Sequence, residues 1–267
     1  MSNFAVPLIF ALLFWWFSTG VILWLIGLPR RTFKWTALGA TLMLGGATVF
    51  LLGLREETSI QAAYAGFAVG IILWAWHEVM FLLGFISGPR KSPCPPDLKT
   101  WPRFLVSSQT VIHHELAIAI HAVLILIMSW GASNAVAAWT FFLLWGMRIS
   151  SKLIVFFGAP NISDTFLPPH LDYLKTYFQK RAAGVFFLIA ITVVTSAAAA
   201  IIYQATIVPY GSFQFIGLVL IAALAVLAVF EHWALVLPVP DATLWNWAVR
   251  NPQPQQETTT SSDWRKL

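Results

Sequence analysis

Apolar residues form seven long runs along this chain, separated by shorter segments that carry most of the charge. Each run has enough residues to cross a hydrocarbon core of about 30 Å as an α-helix, which rises about 1.5 Å per residue. The pattern therefore predicts an all-α polytopic membrane protein built as a bundle of seven transmembrane helices. The runs are Phe4–Leu28, Trp35–Leu54, Ile60–Ile86, Phe104–Trp130, Ala135–Phe157, Ala182–Tyr203 and Phe213–Leu237.

The composition agrees with this pattern. Of the 267 residues, 58% are apolar and only 10% are charged, whereas a soluble domain has about 25% charged residues. We expect residues 1–247 to form a single transmembrane domain. Its first run lacks the basic leading region and the cleavage site of a signal peptide, so it is expected to remain as a helix. Residues 248–267 are polar and rich in Pro, Gln and Thr, which predicts a disordered cytoplasmic tail.

Basic residues are distributed unequally between alternate ends of the predicted helices. Thirteen Lys or Arg residues occur at one set of ends, and the opposite set has only Arg55. Lys and Arg collect on the cytoplasmic side of membrane proteins, so the amino terminus is predicted to be periplasmic and the carboxyl terminus cytoplasmic. The same rule accounts for the net charge of +5, and no nucleic-acid partner is predicted. The thirteen residues are Arg30, Arg31, Lys34, Arg90, Lys91, Lys99, Arg103, Lys175, Lys180, Arg181, Arg250, Arg265 and Lys266.

The loop between the fifth and sixth predicted spans has a pattern of its own. Leu167, Leu171, Leu174 and Phe178 recur at helical spacing between charged residues. This spacing predicts an amphipathic helix that lies on the inner membrane surface. His170 is expected to be a surface or first-turn residue of that helix.

Ionisable side chains inside the predicted spans are the main candidates for function, because a bilayer makes them costly to bury. Counting residues from the cytoplasmic end of each span places most of them in one layer, in the inner half of the membrane. His121 is the exception and is predicted to lie beyond the midplane. The candidate metal or pigment ligands are His77, His114, His121 and His232, and the supporting polar residues are Glu78, His113, Glu115, Arg148, Lys152 and Glu231.

Charge balance and ligand spacing favour a compensated polar core over a metal centre. Arg148 and Lys152 lie one turn apart on one helix face, so they need carboxylates nearby. No span has two candidate ligands three or four residues apart, the spacing typical of metal sites on helices. A single iron or zinc ion would have to be bound by His77, His114 and His232, and a di-metal centre would add uncompensated charge. An ion-paired core, a single-ion site and a tetrapyrrole site stay open.

A tetrapyrrole is a candidate cofactor because a histidine on an apolar helix can offer its imidazole to a central metal ion. A small residue one turn away leaves room for the macrocycle. Ala117 precedes His121 by four residues, and Ala228 precedes His232 by four. The same interval occurs in light-harvesting antenna helices, but alanine is common in membrane spans, so the interval has little specificity. For His121, packing inside the bundle or against lipid is the simpler interpretation.

A set of motifs is spread over residues 4 to about 250. They are Trp15-Trp16-Phe17-Ser18-Thr19-Gly20, Gly27-Leu28-Pro29-Arg30-Arg31-Thr32-Phe33, Trp76-His77-Glu78, Gly88-Pro89-Arg90 with Cys94-Pro95, His113-His114-Glu115-Leu116, Met147-Arg148 with Lys152, Phe166-Leu167-Pro168 with His170-Leu171 and Tyr173-Leu174-Lys175, and Glu231-His232-Trp233 with Leu237-Pro238. As a set, these motifs resemble the PuhE family of photosynthetic complex assembly proteins from phototrophic proteobacteria. The resemblance implies a multi-pass protein of the bacterial inner membrane or the intracytoplasmic photosynthetic membrane. It also implies a role in assembling reaction-centre and core-antenna subunits, or in supplying bacteriochlorophyll.

Three functional hypotheses follow. The first is an assembly factor that contacts the lipid bilayer and engages pigment or photosynthetic subunits through the polar layer. The second is a membrane metal-dependent oxidoreductase that acts on a lipid-soluble pigment or isoprenoid. The third is a structural scaffold whose polar layer only fixes helix packing.

Overall fold

The apolar runs form α-helices throughout the part of the chain that the computed structural model describes. That part comprises residues 2–162, 166–238 and 241–249, the side chains of residues 2, 3, 241 and 242 excepted. It contains eight α-helices and three 3₁₀ segments. The helices are α1 (Ser2–Ile26), α2 (Phe33–Gly53), α3 (Ile60–Leu82), α4 (Thr100–Ser108), α5 (Ile112–Met128), α6 (Val136–Phe157), α7 (Val185–Ile207) and α8 (Phe213–Ala234), and the 3₁₀ segments are Arg30–Thr32, Pro169–Tyr177 and Asp241–Trp245.

Six of these helices are long and apolar enough to cross a membrane, namely α1, α2, α3, α6, α7 and α8. The short helix α4 and the helix α5 meet this condition only together, and they are bent by 67° relative to each other. The described residues therefore provide six spans, or seven if α4 and α5 count as one bent span. The prediction of an all-α, polytopic membrane protein is confirmed at this level.

The fourth predicted span, Phe104–Trp130, is not one continuous helix. Four consecutive polar residues, 107–110, interrupt it. The Ser108 hydroxyl donates a hydrogen bond to the Phe104 carbonyl at 2.9 Å, and the Thr110 hydroxyl donates one to the Ser107 carbonyl at 2.7 Å. Short hydroxyl side chains that bond to the local backbone compete with helix continuation. The α5 helix thus begins at Ile112, eight residues later than predicted, and every depth counted along this span decreases by about 12 Å.

The core of the bundle lies around α3 and α8. The α3 helix packs against α1, α2, α6 and α8, and α8 also packs against α7. Gly70 sets the close approach of α3 and α6, because a Cβ atom at this position would meet the Ala137 carbonyl oxygen at 2.7 Å and the Thr140 Cβ at 2.6 Å. Small residues at helix contacts are typical of membrane bundles, where close packing replaces the hydrophobic effect. This contact aligns the α3 and α6 residues that flank the polar layer.

The predicted amphipathic helix in the loop after α6 is a 3₁₀ segment, Pro169–Tyr177, and its apolar side packs against protein. Leu171, Leu174 and Tyr177 are buried, and the two leucines pack with Phe81 at the end of α3. The three-residue interval between these side chains matches the three residues per turn of a 3₁₀ helix. The segment therefore covers the end of the bundle instead of resting on the membrane surface.

The segment after α8 folds back onto α1. The Trp245 indole N–H donates a hydrogen bond to the Trp16 carbonyl at 3.0 Å, and the Trp16 indole donates one to the Leu244 carbonyl at 2.9 Å. The Trp247 ring stacks on Phe17 with a centroid separation of 6.1 Å. Most of the predicted disordered tail, 248–267, lies outside the described residues. Its residue Ala248 is described, and it is buried.

Candidate functional site

Two histidines from different helices contact each other in the inner part of the bundle. Nε2 of His77 on α3 lies 2.8 Å from Nδ1 of His121 on α5, so one nitrogen donates and the other accepts, according to the tautomers present. His77 is 1% exposed, and His121 is half-buried. The prediction that His121 lies at a different depth from His77 is wrong, because α5 begins at Ile112 and not at Phe104.

His114 completes a histidine cluster, which we define as His77, His114 and His121. The ring of His114 lies 6.4 Å from that of His77 and 4.6 Å from that of Phe81, measured between centroids. His114 is 1% exposed, and neither of its ring nitrogens has a hydrogen-bond partner among the described residues. Nδ1 of His77 is likewise buried and unpartnered. Buried imidazole nitrogens without partners are uncommon and are typical of positions that meet a further group.

Phe141 on α6 forms one wall of the histidine cluster. Its ring centroid lies 5.8 Å from that of His77 and 5.4 Å from that of His121. Phe141 was not among the predicted site residues, because only ionisable side chains inside the spans stand out in the sequence. Phe141 precedes Arg148 by seven residues, which is two helical turns on one face, and that spacing was available as a signal.

Two ion pairs join the same helices beside the histidine cluster. Arg148 on α6 contacts Glu78 on α3 at 2.7 Å, and Lys152 on α6 contacts Glu115 on α5 at 2.5 Å. The prediction that both basic residues have carboxylates nearby is confirmed. The Lys152 ammonium also lies 5.6 Å from the centroid of the Phe81 ring. Opposite charges thus compensate each other pairwise in this layer, as burial of charge requires.

His232 on α8 uses both of its ring nitrogens inside the protein. Nδ1 lies 2.8 Å from the Ala228 carbonyl oxygen, and Nε2 lies 2.9 Å from the Ser150 hydroxyl. A carbonyl can only accept, so Nδ1 carries the proton, and in the neutral ring Nε2 accepts from Ser150. Ser150 was not among the predicted site residues, because a single hydroxyl side chain in a span does not by itself indicate a functional site.

The predicted trio of metal ligands, His77, His114 and His232, is not brought together as a set. His77 and His114 contact each other, whereas His232 bonds to Ser150 and Ala228. Within residues 2–162, 166–238 and 241–249, no group of three or more His, Cys, Asp or Glu side chains is arranged to hold a metal ion. Two further residues of the predicted supporting layer, His113 and Glu231, are exposed on α5 and α8.

Comparison with known proteins places these features in a family. A family model described as "Protein of unknown function (DUF3623)" matches residues 1–256. A Rhodobacter capsulatus protein, described as an uncharacterized 30.4 kDa protein in the puhA 5′ region, is 34% identical over 248 residues, which cover 91% of this chain and 90% of that protein. No solved structure matches the chain. The family match covers the whole helical bundle, including the histidine cluster.

Proposed function

This chain belongs to the DUF3623 family, and from this membership and the histidine cluster we propose that it is a membrane assembly factor for the photosynthetic reaction centre and its core antenna. A relative described by its place in the puhA region supports a photosynthesis-related role. The resemblance to the PuhE family supports the assembly function itself. The proposed location is the bacterial inner membrane or the intracytoplasmic photosynthetic membrane.

Within this function, His121 is the proposed ligand of a bacteriochlorophyll-type pigment. The observation that carries this assignment is the contact of its Nδ1 with buried His77, while its Nε2 has no hydrogen bond to a described residue and is not among the fully buried atoms. When Nδ1 donates its proton to His77, Nε2 keeps a free lone pair. A second histidine that orients the ligand and fixes its tautomer is typical of metal-binding imidazoles.

The surroundings of His121 fit a flat apolar ring. Leu116, Ile120 and Leu124 are exposed on α5, so they present an apolar surface toward lipid. Ala117, one turn before His121, adds little bulk on this side of the helix. A bound bacteriochlorophyll would supply a central metal ion that accepts the imidazole lone pair. The chain's own part is to hold and orient the pigment.

His232 fits this role less well than His121, although an alanine precedes both residues by four positions. Its two ring nitrogens are already bonded to Ala228 and Ser150, and it is fully buried. A macrocycle could reach Nε2 only after its hydrogen bond to Ser150 had broken and the side chains that cover His232 had moved. The geometry therefore separates two residues that the sequence pattern treats alike.

The structural scaffold is the second candidate function. It is favoured by the two ion pairs and the His77–His121 contact, which together join α3, α5 and α6. A scaffold would need these contacts for stability and would bind no pigment. The metal-dependent oxidoreductase has less support, since the described residues bring no three metal-binding side chains together.

Absorbance of the purified protein tests the pigment assignment. The full-length chain is purified in a mild detergent from cells that make bacteriochlorophyll, as wild type, His121→Ala and His121→Gln. The wild type is expected to carry pigment, and both variants are expected to lose it, because glutamine can bond to His77 but has no imidazole. His113→Ala is the matched control, since His113 is an exposed histidine of the same helix. Pigment retained in both His121 variants would refute the assignment.

Elemental analysis of the same preparations tests the enzyme alternative. Stoichiometric iron or zinc that disappears in a His77→Ala/His114→Ala/His232→Ala variant would favour the oxidoreductase. Normal stability together with unchanged pigment content in all variants would exclude the histidine cluster from function.

A further inference from the structure

A cleft of about 560 Å³ lies at one end of the bundle, and no residue of the histidine cluster lines it. One wall is the connection between α1 and α2, and the other is the end of α3 with the turn that follows it. The 3₁₀ segment Pro169–Tyr177 contributes a single histidine. The lining residues are Arg30, Arg31, Phe33, Lys34, Leu83, Gly84, Phe85 and His170.

The described lining of this cleft, which we call the basic cleft, is positively charged. Arg30, Arg31 and Lys34 line it, no acidic residue does, and within the described ranges none of the three takes part in an ion pair. The two basic residues inside the bundle, Arg148 and Lys152, each have a carboxylate partner. Three exposed cations on one concave wall create a positive potential that attracts anions.

His170 adds a ring nitrogen without a described partner to the lining of the cleft. Its Nε2 is buried and has no hydrogen-bond partner among the residues described. The ring contacts Phe33 edge to face at 6.0 Å and lies close to Gly84, where a Cβ atom would come within 3.1 Å of Nε2. Gly84 has a φ of +82°, a conformation that glycine adopts without strain. The turn at Gly84 therefore leaves room for the imidazole of His170. His170 was predicted to be a surface residue, and this prediction describes only part of its environment.

The apolar part of the lining indicates that the cleft borders the membrane. Phe33, Leu83 and Phe85 line the cleft beside the cations. The Lys34 ammonium lies 5.4 Å from the centroid of the Trp35 ring, and Trp35 is exposed. Exposed tryptophans at helix ends are typical of the interface between hydrocarbon and headgroups. A ligand with both anionic and apolar parts would match this lining.

We propose that the basic cleft binds a phosphate group, carried by the headgroup of an anionic lipid or by a soluble phosphate compound. Arginine presents N–H donors in a planar fork that matches the oxygens of phosphate, and lysine adds a mobile charge. The unpartnered Nε2 of His170 supplies one further contact. This proposal is independent of the pigment proposal, because the two sites share no residue.

Binding to the purified full-length protein tests the proposal and distinguishes the two sources of phosphate. Native mass spectrometry in a neutral detergent measures retention of phosphatidylglycerol against phosphatidylcholine, and equilibrium dialysis measures inorganic phosphate. The cleft variant is Arg30→Gln/Lys34→Gln. The control is Lys99→Gln/Lys180→Gln, which removes the same charge from two exposed residues outside the cleft lining.

The expected result is preferential retention of phosphatidylglycerol that becomes about tenfold weaker in the cleft variant and stays unchanged in the control. Saturable binding of inorganic phosphate with the same dependence on the variants would instead identify a soluble ligand. Equal weakening in both variants would show that only general surface charge is involved, and it would overturn the proposal. Absence of binding by both probes in the wild type would do the same.

Discussion

Nε2 of His77 and Nδ1 of His121 lie 2.8 Å apart, and this contact joins a central helix of the bundle to a helix at its edge. The α5 helix packs against α3 and α6, and many of its apolar side chains are exposed. Two polar contacts, His77–His121 and Lys152–Glu115, therefore contribute to its attachment. The position of α5 depends on the same residues that form the candidate site.

The Lys152–Glu115 ion pair is predicted to contribute to stability because each of its two partly buried charges neutralises the other. Lys152→Met is expected to lower the free energy of unfolding by about 2 kcal/mol, because it leaves a partly buried carboxylate without its partner. Adding Glu115→Gln should restore part of that loss. The measurement is a double-mutant cycle, with unfolding followed by titration with a denaturing detergent. A double variant less stable than either single variant would contradict this account of the pair.

Gly84 is predicted to be required by its backbone conformation. Its φ is +82°, so Gly84→Ala is expected to cost about 1–2 kcal/mol and to push against the ring of His170. Gly146→Ala on α6 is the matched control, because a Cβ atom there would meet nothing within 4 Å. This control should be neutral or gain about 1 kcal/mol from the better helix propensity of alanine. Thermal unfolding of both variants checks the prediction, which fails if the two changes have the same sign.

Anion binding in the basic cleft is predicted to strengthen as the pH falls. Burial lowers the pKa of His170, the Arg30 guanidinium and the Lys91 ammonium lower it further, and the Leu82 backbone and Asp172 raise it. The ring is therefore neutral near pH 7 in the empty cleft. A bound phosphate would raise this pKa, so protonation and binding reinforce each other.

The measurement for this prediction is phosphatidylglycerol retention between about pH 8 and about pH 6, where the charge of this lipid is constant. Retention by the wild type should increase toward the acidic end. His170→Gln should bind with little pH dependence, since its side chain does not titrate. A slope that is the same in both proteins would assign the effect to another group.

The orientation predicted from the basic residues can be tested with reporter fusions. A periplasmic enzyme reporter inserted between α2 and α3, next to Arg55, is expected to be active, because this end has one basic residue against thirteen at the other ends. A fluorescent protein that folds only in the cytoplasm is expected to fluoresce when it is fused after residue 249. The reverse pattern of signals would invert the topology.

The sequence identified the spans because their apolar runs are long, and it identified Arg148 and Lys152 as ion-pair members because their charges need compensation. It did not locate the break before Ile112, since the run was counted by hydropathy and the polar residues 107–110 were included in it. Because of this break, the predicted depth of His121 was wrong by two helical turns or more. Two contacts could not be predicted, because they depend on how different helices pack and not on the pattern along one helix. They are the contact of His232 with Ser150 and that of the histidine cluster with Phe141.

The 3₁₀ segments illustrate the same limit. Leu171 and Leu174 were recognised as one apolar face, but a short repeat of this kind fits an α-helix and a 3₁₀ helix almost equally well. Packing against Phe81 determines the outcome. In the sequence, the basic residues of the cleft indicated only the orientation of the chain in the membrane. His170 and Arg30 are distant in the chain and come together only in the folded bundle, so the basic cleft itself could not be predicted.

The central claim, an assembly role that depends on His121, is tested most directly in living cells. A phototrophic bacterium that lacks its own copy of this gene is complemented with the wild type, His121→Ala or His113→Ala, and the near-infrared absorbance of its membranes is recorded as a measure of assembled reaction centre and core antenna. The account predicts restored absorbance with the wild type and His113→Ala, and strongly reduced absorbance with His121→Ala at equal protein level. Full restoration by His121→Ala would contradict it.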